Sequence, residues 1–236
     1  MLPIRELREG PLARAPVVVP ALIALNLGVF LFELFGGAFL PWTFVPRTLQ
    51  IDPALGILTI FTSMFLHGGW MHLLGNVWFL HVFGPSVEST LGPRRFALLY
   101  LVGGVAAALA QAFVEPLSRV PMLGASGAIS AVLAAYVSLY PRRRIDTLAF
   151  VFVLPLPALF FVLEWFAMNL MRGVGTLSGA SASGVAWWAH IGGFLGGLVL
   201  VRLLFPRAKA PAPTPKWEVE VRGPHGERYS SYTFER

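Results

Sequence analysis

The sequence contains no cysteine, which removes disulfides, thiolate nucleophiles and thiol-ligated metals from consideration. Charge is scarce as well: Asp, Glu, Lys and Arg make up 13% of the 236 residues, and Asp52 and Asp146 are the only aspartates. A chain that is 56% hydrophobic, with a mean hydropathy of +0.69, cannot clothe itself in polar surface as a soluble domain of this size does. It reads as an integral membrane protein whose first partner is the lipid bilayer. The formal charge of +6 comes from Arg and Lys clusters beside apolar runs. That pattern suits anionic headgroups and topology signals, and no separate basic domain for nucleic acid is present.

What the sequence has in quantity is long apolar runs. Six are read as membrane spans: Val17 to Leu40, Trp70 to Val87, Phe96 to Val114, Leu123 to Tyr140, Leu148 to Leu170 and about Val185 to Phe205. Pro155 and Pro157 should kink or loosen the fifth. The connection Pro41 to Gly69 is too apolar to float in water, so it is expected to fold back into the outer leaflet as short helices, one of them around Phe61 to His67. Residues 1–16 form a lead-in on the membrane surface, residues 17–205 the helical membrane domain, and residues 206–236 a proline-rich linker and tail. In the tail, Trp217 to Arg222 alternates apolar with charged residues, and Tyr229 to Phe234 can pair with it as a small hairpin.

Orientation follows from the cations. Arg5, Arg8 and Arg14 precede the first span, Arg94 and Arg95 follow the second, Arg142, Arg143 and Arg144 follow the fourth, and Arg202, Arg207 and Lys209 close the sixth. The alternate loops hold one each: Arg47, Arg119 and Arg172. This asymmetry puts both termini in the cytoplasm and requires an even number of spans, which six satisfies; the chain is read as an all-α bundle of six transmembrane helices, in a bacterial inner membrane.

The second, fourth and sixth spans then run from outside to inside. Each carries unusual polar residues within roughly its first two turns: His72 and Asn76, then Ser126, then His190. Polar groups gathered at one membrane depth are functional candidates. His72 and Asn76 are four apart and share a helix face, as do His190, Gly193 and Gly197. Ser126 lies in Gly124-Ala125-Ser126-Gly127, whose glycines let another backbone come close. Two readings stand at this point. In one, Ser126 and the histidines bond helices together. In the other, His190 reaches the Ser126 hydroxyl as a general base. A zinc hydrolase would want a His-Glu-x-x-His pair, which is missing, and an aspartyl protease would want two carboxylates at membrane depth, whereas Asp52 and Asp146 fall in loops on opposite sides. No cofactor is expected. His67, His81 and His225 are read as interfacial, packing and solvated residues.

These residues resemble the rhomboid intramembrane serine proteases. The match consists of His67, His72 and Asn76 at the second span, Gly124-Ala125-Ser126-Gly127 at the fourth, and Ala189-His190-Ile191-Gly192-Gly193 with Gly197 at the sixth. Val87-Glu88-Ser89-Thr90-Leu91-Gly92 resembles the family's acidic-then-Leu-Gly stretch. The resemblance implies a six-helix rhomboid-like bundle with an interfacial first outer loop and a wet cavity open to the outside. It implies Ser126 as nucleophile, His190 as general base, and His72 and Asn76, with the Ser126 backbone N–H, as oxyanion donors. Gly124, Gly127, Gly193 and Gly197 would serve close packing. The substrates would be transmembrane segments of other proteins, cut near the extracytoplasmic face.

Two departures from the family pattern carry expectations of their own. An aromatic residue often stands four positions after the nucleophile, where this chain has Ser130, so an aromatic such as Trp187 or Trp188 is expected to hold the imidazole. A Trp-Arg pair common in the first outer loop is replaced by Trp42-Thr43. The fifth span, with Phe160, Phe161, Trp165 and Phe166, resembles the family's lateral gate. The alternatives carried forward are a catalytically inactive relative that binds membrane clients, and a small-solute channel or transporter.

Overall fold

The computed structural model describes residues 1–8, 11–36, 39–149, 151–177 and 185–205, together with the backbone of 217–222 and 228–234. Among the described residues eight α-helices follow one another: α1 (Val18–Leu34), α2 (Thr48–Ile51), α3 (Pro53–Ser63), α4 (Trp70–Leu91), α5 (Pro93–Val114), α6 (Ser126–Leu139), α7 (Ala158–Leu177) and α8 (Trp187–Val199), the last continued by a π turn over Leu200–Leu204. Turn chemistry sets their limits. Asp52 accepts the Leu55 N–H at 3.0 Å and caps α3, with Pro53 in the first position. Gly92, at φ +81°, ends α4, and Pro93 opens α5 at the next residue.

Helix α6 is the axis of the bundle: 12 of its 14 residues are buried. Its neighbours reach it through backbone. A Cβ added at Gly103 on α5 would stand 2.3 Å from Ala131 Cβ, and one at Gly197 on α8 would stand 2.5 Å from Ala131 Cα. In a membrane, where lipid tails remove the hydrophobic drive between helices, such close contact is what holds them together. On the other flank Phe83 of α4 packs edge-on to Tyr136 at 5.0 Å and stacks on Phe161 of α7 at 5.8 Å.

Helix α1 begins at Val17 with no side-chain cap of its own. The cap comes from α4. Glu88 Oε1 accepts the N–H groups of Val17 and Val18 at 2.7 and 2.8 Å, and Oε2 accepts that of Val19 at 2.8 Å. The carboxylate thus satisfies three donors at a positive helix end, and this partnership explains how Glu88 can be 1% exposed.

The helical expectation holds for the bundle, but it omitted a sheet. Residues of the lead-in form β1 (Leu2–Leu7), which pairs antiparallel with β2 (Arg144–Ala149), and β2 pairs with β3 (Phe152–Pro157). The fifth apolar run therefore divides: its first part is β-structure and its helix starts at Ala158. Strand β1 climbs the side of α4. The Glu6 carboxylate accepts from Ser86 Oγ at 2.5 Å and the Tyr136 hydroxyl at 2.9 Å and pairs with Arg143, while Trp78 Nε1 donates to the Pro3 carbonyl at 2.5 Å. Ser86 and Trp78 are about 12 Å apart along the helix, so the sheet rises well into the depth occupied by α4. There an open strand edge would leave unsatisfied donors. Pro155 and Pro157, two residues apart in β3, lack N–H groups on the same edge, the one turned away from β2.

The tail hairpin is present as β4 (Trp217–Arg222) and β5 (Arg228–Phe234), with Trp217 opposite Phe234; its expected turn and His225 lie outside the described residues. The outer connection after α1 does fold into short helices, a 3-10 turn at Leu40–Trp42 followed by α2 and α3, but helix ends at Ser63 rather than running on to His67. Among the described residues, α5 and α7 are long and apolar enough to cross a bilayer by themselves. Helix α4 has the length but carries His72, Asn76, Ser86 and Glu88, and the other helices are shorter.

Candidate active site

The segment before α6 is extended and pinned to the first outer connection. Phe44 and Met122 exchange backbone hydrogen bonds at 3.0 and 2.7 Å, and the Gly124 N–H donates to the Ser63 carbonyl at 2.9 Å. Gly124 adopts φ +117°, a conformation that side chains resist, and a Cβ there would sit 2.5 Å from His72 Nε2 and 3.5 Å from Asn76 Nδ2. The bend makes Ser126 the first residue of α6 rather than a residue inside it. That is why the helix begins later than the apolar run from Leu123 suggests. The first N–H groups of a helix have no partner within it, so the backbone around Ser126 offers donors as well as a hydroxyl.

Helix α8 brings His190 to the same level. Its first turn is placed by α5, where Gln111 Oε1 accepts the Ala189 N–H at 3.2 Å. Its close approach to α6 follows from Gly193: a Cβ there would lie 2.1 Å from the Gly127 carbonyl oxygen. Gly127 in turn faces Ala107 of α5, with 2.5 Å between an added Cβ and the alanine methyl. Under these constraints His190 Nε2 lies 2.8 Å from Ser126 Oγ. Both residues line a cavity of about 1010 Å³, along with His72, Gly124, Gln111 and Met64.

The structure brings Ser126, His190, His72 and Asn76 around one bend. His72 and Asn76 share a face of α4, and both imidazole and amide lie beside Gly124. The Asn76 Nδ2 is buried with no hydrogen-bond partner. A buried donor without an acceptor costs free energy, and in a native site it calls for an explanation. His67, in the connection before α4, is packed edge-on to His72 at 5.3 Å, and its N–H is accepted by Glu33 at 3.2 Å. Burial, with the neighbouring His72 imidazole adding to it, pushes His67 down from 6.5 to about 4.

Two residues at the imidazole were not singled out by sequence as its partners. Asn169 on α7, 2% exposed, places Oδ1 2.7 Å from His190 Nδ1. Trp165, one turn earlier, has its ring 5.9 Å from the imidazole, and Trp187 meets the ring edge-on at 6.1 Å. Trp188 turns away and donates to Thr176. Ser130, at the position where the family often has an aromatic, donates to the Ser126 carbonyl at 2.7 Å. Of the aromatics on α7, Phe160 is open at 54% exposure, whereas Phe161 is buried on α4 and Phe166 packs on Phe194 at 4.8 Å. The sequence did hold a signal for Asn169. It is one of three asparagines in the chain, and all three, with Asn26 and Asn76, fall within apolar runs.

The family model described as the Rhomboid domain matches residues 55–207. RHOMBOID-like protein 12, mitochondrial, of Arabidopsis thaliana is 29% identical over 196 residues, covering 72% of this chain and 57% of its own length. Presenilin-associated rhomboid-like protein, mitochondrial, of Bos taurus is 32% identical over 194 residues, covering 76% and 46%. Rhomboid-like protein 11, chloroplastic, of Arabidopsis thaliana is 37% identical over 154 residues, covering 62% and 53%. The chain spans about half the length of the curated relatives it matches. With more than half of its residues matched by that domain, this helical, membrane-associated chain belongs to the rhomboid family.

Proposed function

We propose that the protein is an intramembrane serine endopeptidase that cleaves transmembrane segments of other proteins near the extracytoplasmic face. The observation that carries the reading is the 2.8 Å contact between Ser126 Oγ and His190 Nε2 on the wall of a large cavity. Six helices, α1 and α4 to α8, cross the membrane, with both termini in the cytoplasm. Ser126 is the nucleophile. Its hydroxyl attacks the scissile carbonyl while His190 takes the proton, and the imidazolium then gives that proton to the leaving amine. Water repeats the sequence on the acyl-enzyme, with His190 again as base.

The oxyanion formed at each attack needs donors already in place. His72 Nε2, the unpartnered Asn76 Nδ2 and the Ser126 N–H supply them, and each such donor is worth roughly 3 kcal/mol of barrier. A transmembrane helix hides its peptide bonds, so the substrate must unwind to reach Ser126. A completed dyad beside an unpartnered donor favours an enzyme over a client-binding relative or a channel.

The test is labelling by a serine-directed fluorophosphonate in detergent, together with cleavage of a model transmembrane substrate. Labelling is lost in Ser126→Ala and falls sharply in His190→Ala. Robust cleavage by Ser126→Ala would discard the mechanism, and solute flux through liposomes that ignores modification of Ser126 would favour a channel.

A further inference from the structure

Building on the reading of Ser126 as nucleophile, we propose that Asn169 is a positioning residue that fixes the tautomer and plane of His190, extending the pair to a Ser-His-Asn row. Hydrogen-bond partners alone assign every proton. Asn169 Nδ2 lies 2.7 Å from the Trp165 carbonyl oxygen, which can only accept, so that end of the amide is the NH2 group. Oδ1 therefore faces His190 Nδ1 at 2.7 Å, and an amide oxygen can only accept. The proton of the neutral imidazole is thus on Nδ1. Nε2 is bare, and at 2.8 Å it accepts from the Ser126 hydroxyl. This is the one tautomer able to act as a base on Ser126; the other would point an N–H at the hydroxyl.

The ring plane is held from the same helix. Trp165 and Asn169 are four apart on α7, so one face of that helix presents both the indole beside the imidazole and the amide that accepts its N–H. Trp187 closes the edge of the ring. Together they do the work that Ser130 cannot, since its hydroxyl is committed to its own helix. The Nδ1–H···Oδ1 bond also strengthens when it matters. As Nε2 takes the serine proton the ring becomes cationic, and a neutral hydrogen bond turns into a charge-assisted one. Because Asn169 carries no charge, the resting site gains no buried carboxylate to desolvate.

The test compares Asn169→Leu, close in shape but without an acceptor, with Asn169→Asp, which keeps an acceptor toward Nδ1. Kinetics use a fluorogenic transmembrane substrate, and ring 15N spectra of His190 are recorded on the active protein. Asn169→Leu should lose about 10- to 100-fold in kcat with KM changed less than about twofold, and label with fluorophosphonate proportionately more slowly. Asn169→Asp should recover most of that loss. In the unmodified protein the His190 Nδ1 signal should be that of a protonated ring nitrogen and Nε2 that of a bare one, a readout that stands even where a variant fails to fold. A bare Nδ1, or Asn169→Leu with kcat within about threefold of the unmodified enzyme while Ser126→Ala is inactive, overturns the role of Asn169 and leaves the nucleophile in place. Cleavage by Ser126→Ala strikes the underlying reading instead.

Discussion

Replacing Glu88 by Gln isolates what a carboxylate does that an amide cannot. The amide oxygen can keep the Val17 and Val18 N–H groups, but its NH2 would then confront the Val19 N–H, which Glu88 Oε2 now accepts at 2.8 Å. One charge-assisted bond is lost, a cost of about 1.5 to 3 kcal/mol. The negative charge also leaves the start of α1, removing about 0.5 to 1 kcal/mol of interaction with the helix dipole. The neutral amide costs less to bury, which offsets part of this, and a net loss of about 2 kcal/mol is expected. At about 2 to 4 °C per kcal/mol for a chain of this length, the apparent Tm in mild detergent should fall by about 4 to 8 °C. Far-UV circular dichroism and intrinsic tryptophan fluorescence both follow it. Glu88→Ala, which orphans all three donors, should fall further. Turnover well below the transition should be little changed, because Glu88 is about 24 Å along α4 from His72. A Tm within about 2 °C of the unmodified protein would refute the capping argument.

Asn76→Ala should cut kcat by about 100-fold or more with little change in KM, since its acceptor exists only in the transition state; equal losses in kcat and in substrate binding would count against the oxyanion role. His67, held at about 4 in the folded protein, should make stability pH-dependent. Between pH 6.5 and 4 the unfolded chain binds a proton that the folded one refuses, so stability is complete above 6.5 and falls by up to roughly 3 kcal/mol toward 4. His67→Phe should flatten that part of the Tm-against-pH curve, and an unchanged curve would be the contrary result. Gly193→Ala should fail to assemble, its Cβ meeting the Gly127 carbonyl oxygen at 2.1 Å, while Gly75→Ala, with nothing within 4 Å, should fold normally; the comparison is read by monodisperse elution in detergent.

The candidate site was legible because each of its residues sits in a short local motif near the start of an apolar run, so that the proposed topology placed them at one level. Ser126 and His190 follow from that. Asn169 does not: a single amide in an apolar helix has no neighbouring signature, and its partner is 21 residues further on, on another helix. The sheet was hidden for a related reason. Leu148 to Pro157 is largely apolar, and an apolar run suits a strand as readily as a helix when no strict alternation of side chains marks it. Pro155 and Pro157 were visible, but reading them as the free edge of a strand rather than as kinks requires knowing about the sheet, whose Arg5 on β1 pairs with Asp146 on β2 across 141 positions of sequence. The late start of α6 depends on a backbone bond from Gly124 to Ser63, which no pattern around Ser126 announces.

On the proposed reading a substrate unwinds beside the protein, where the open edge of any strand would offer it a pairing partner. The two imino acids of β3 leave that border with little to grip. An unwound segment would then find few N–H groups to pair with along that edge of β3.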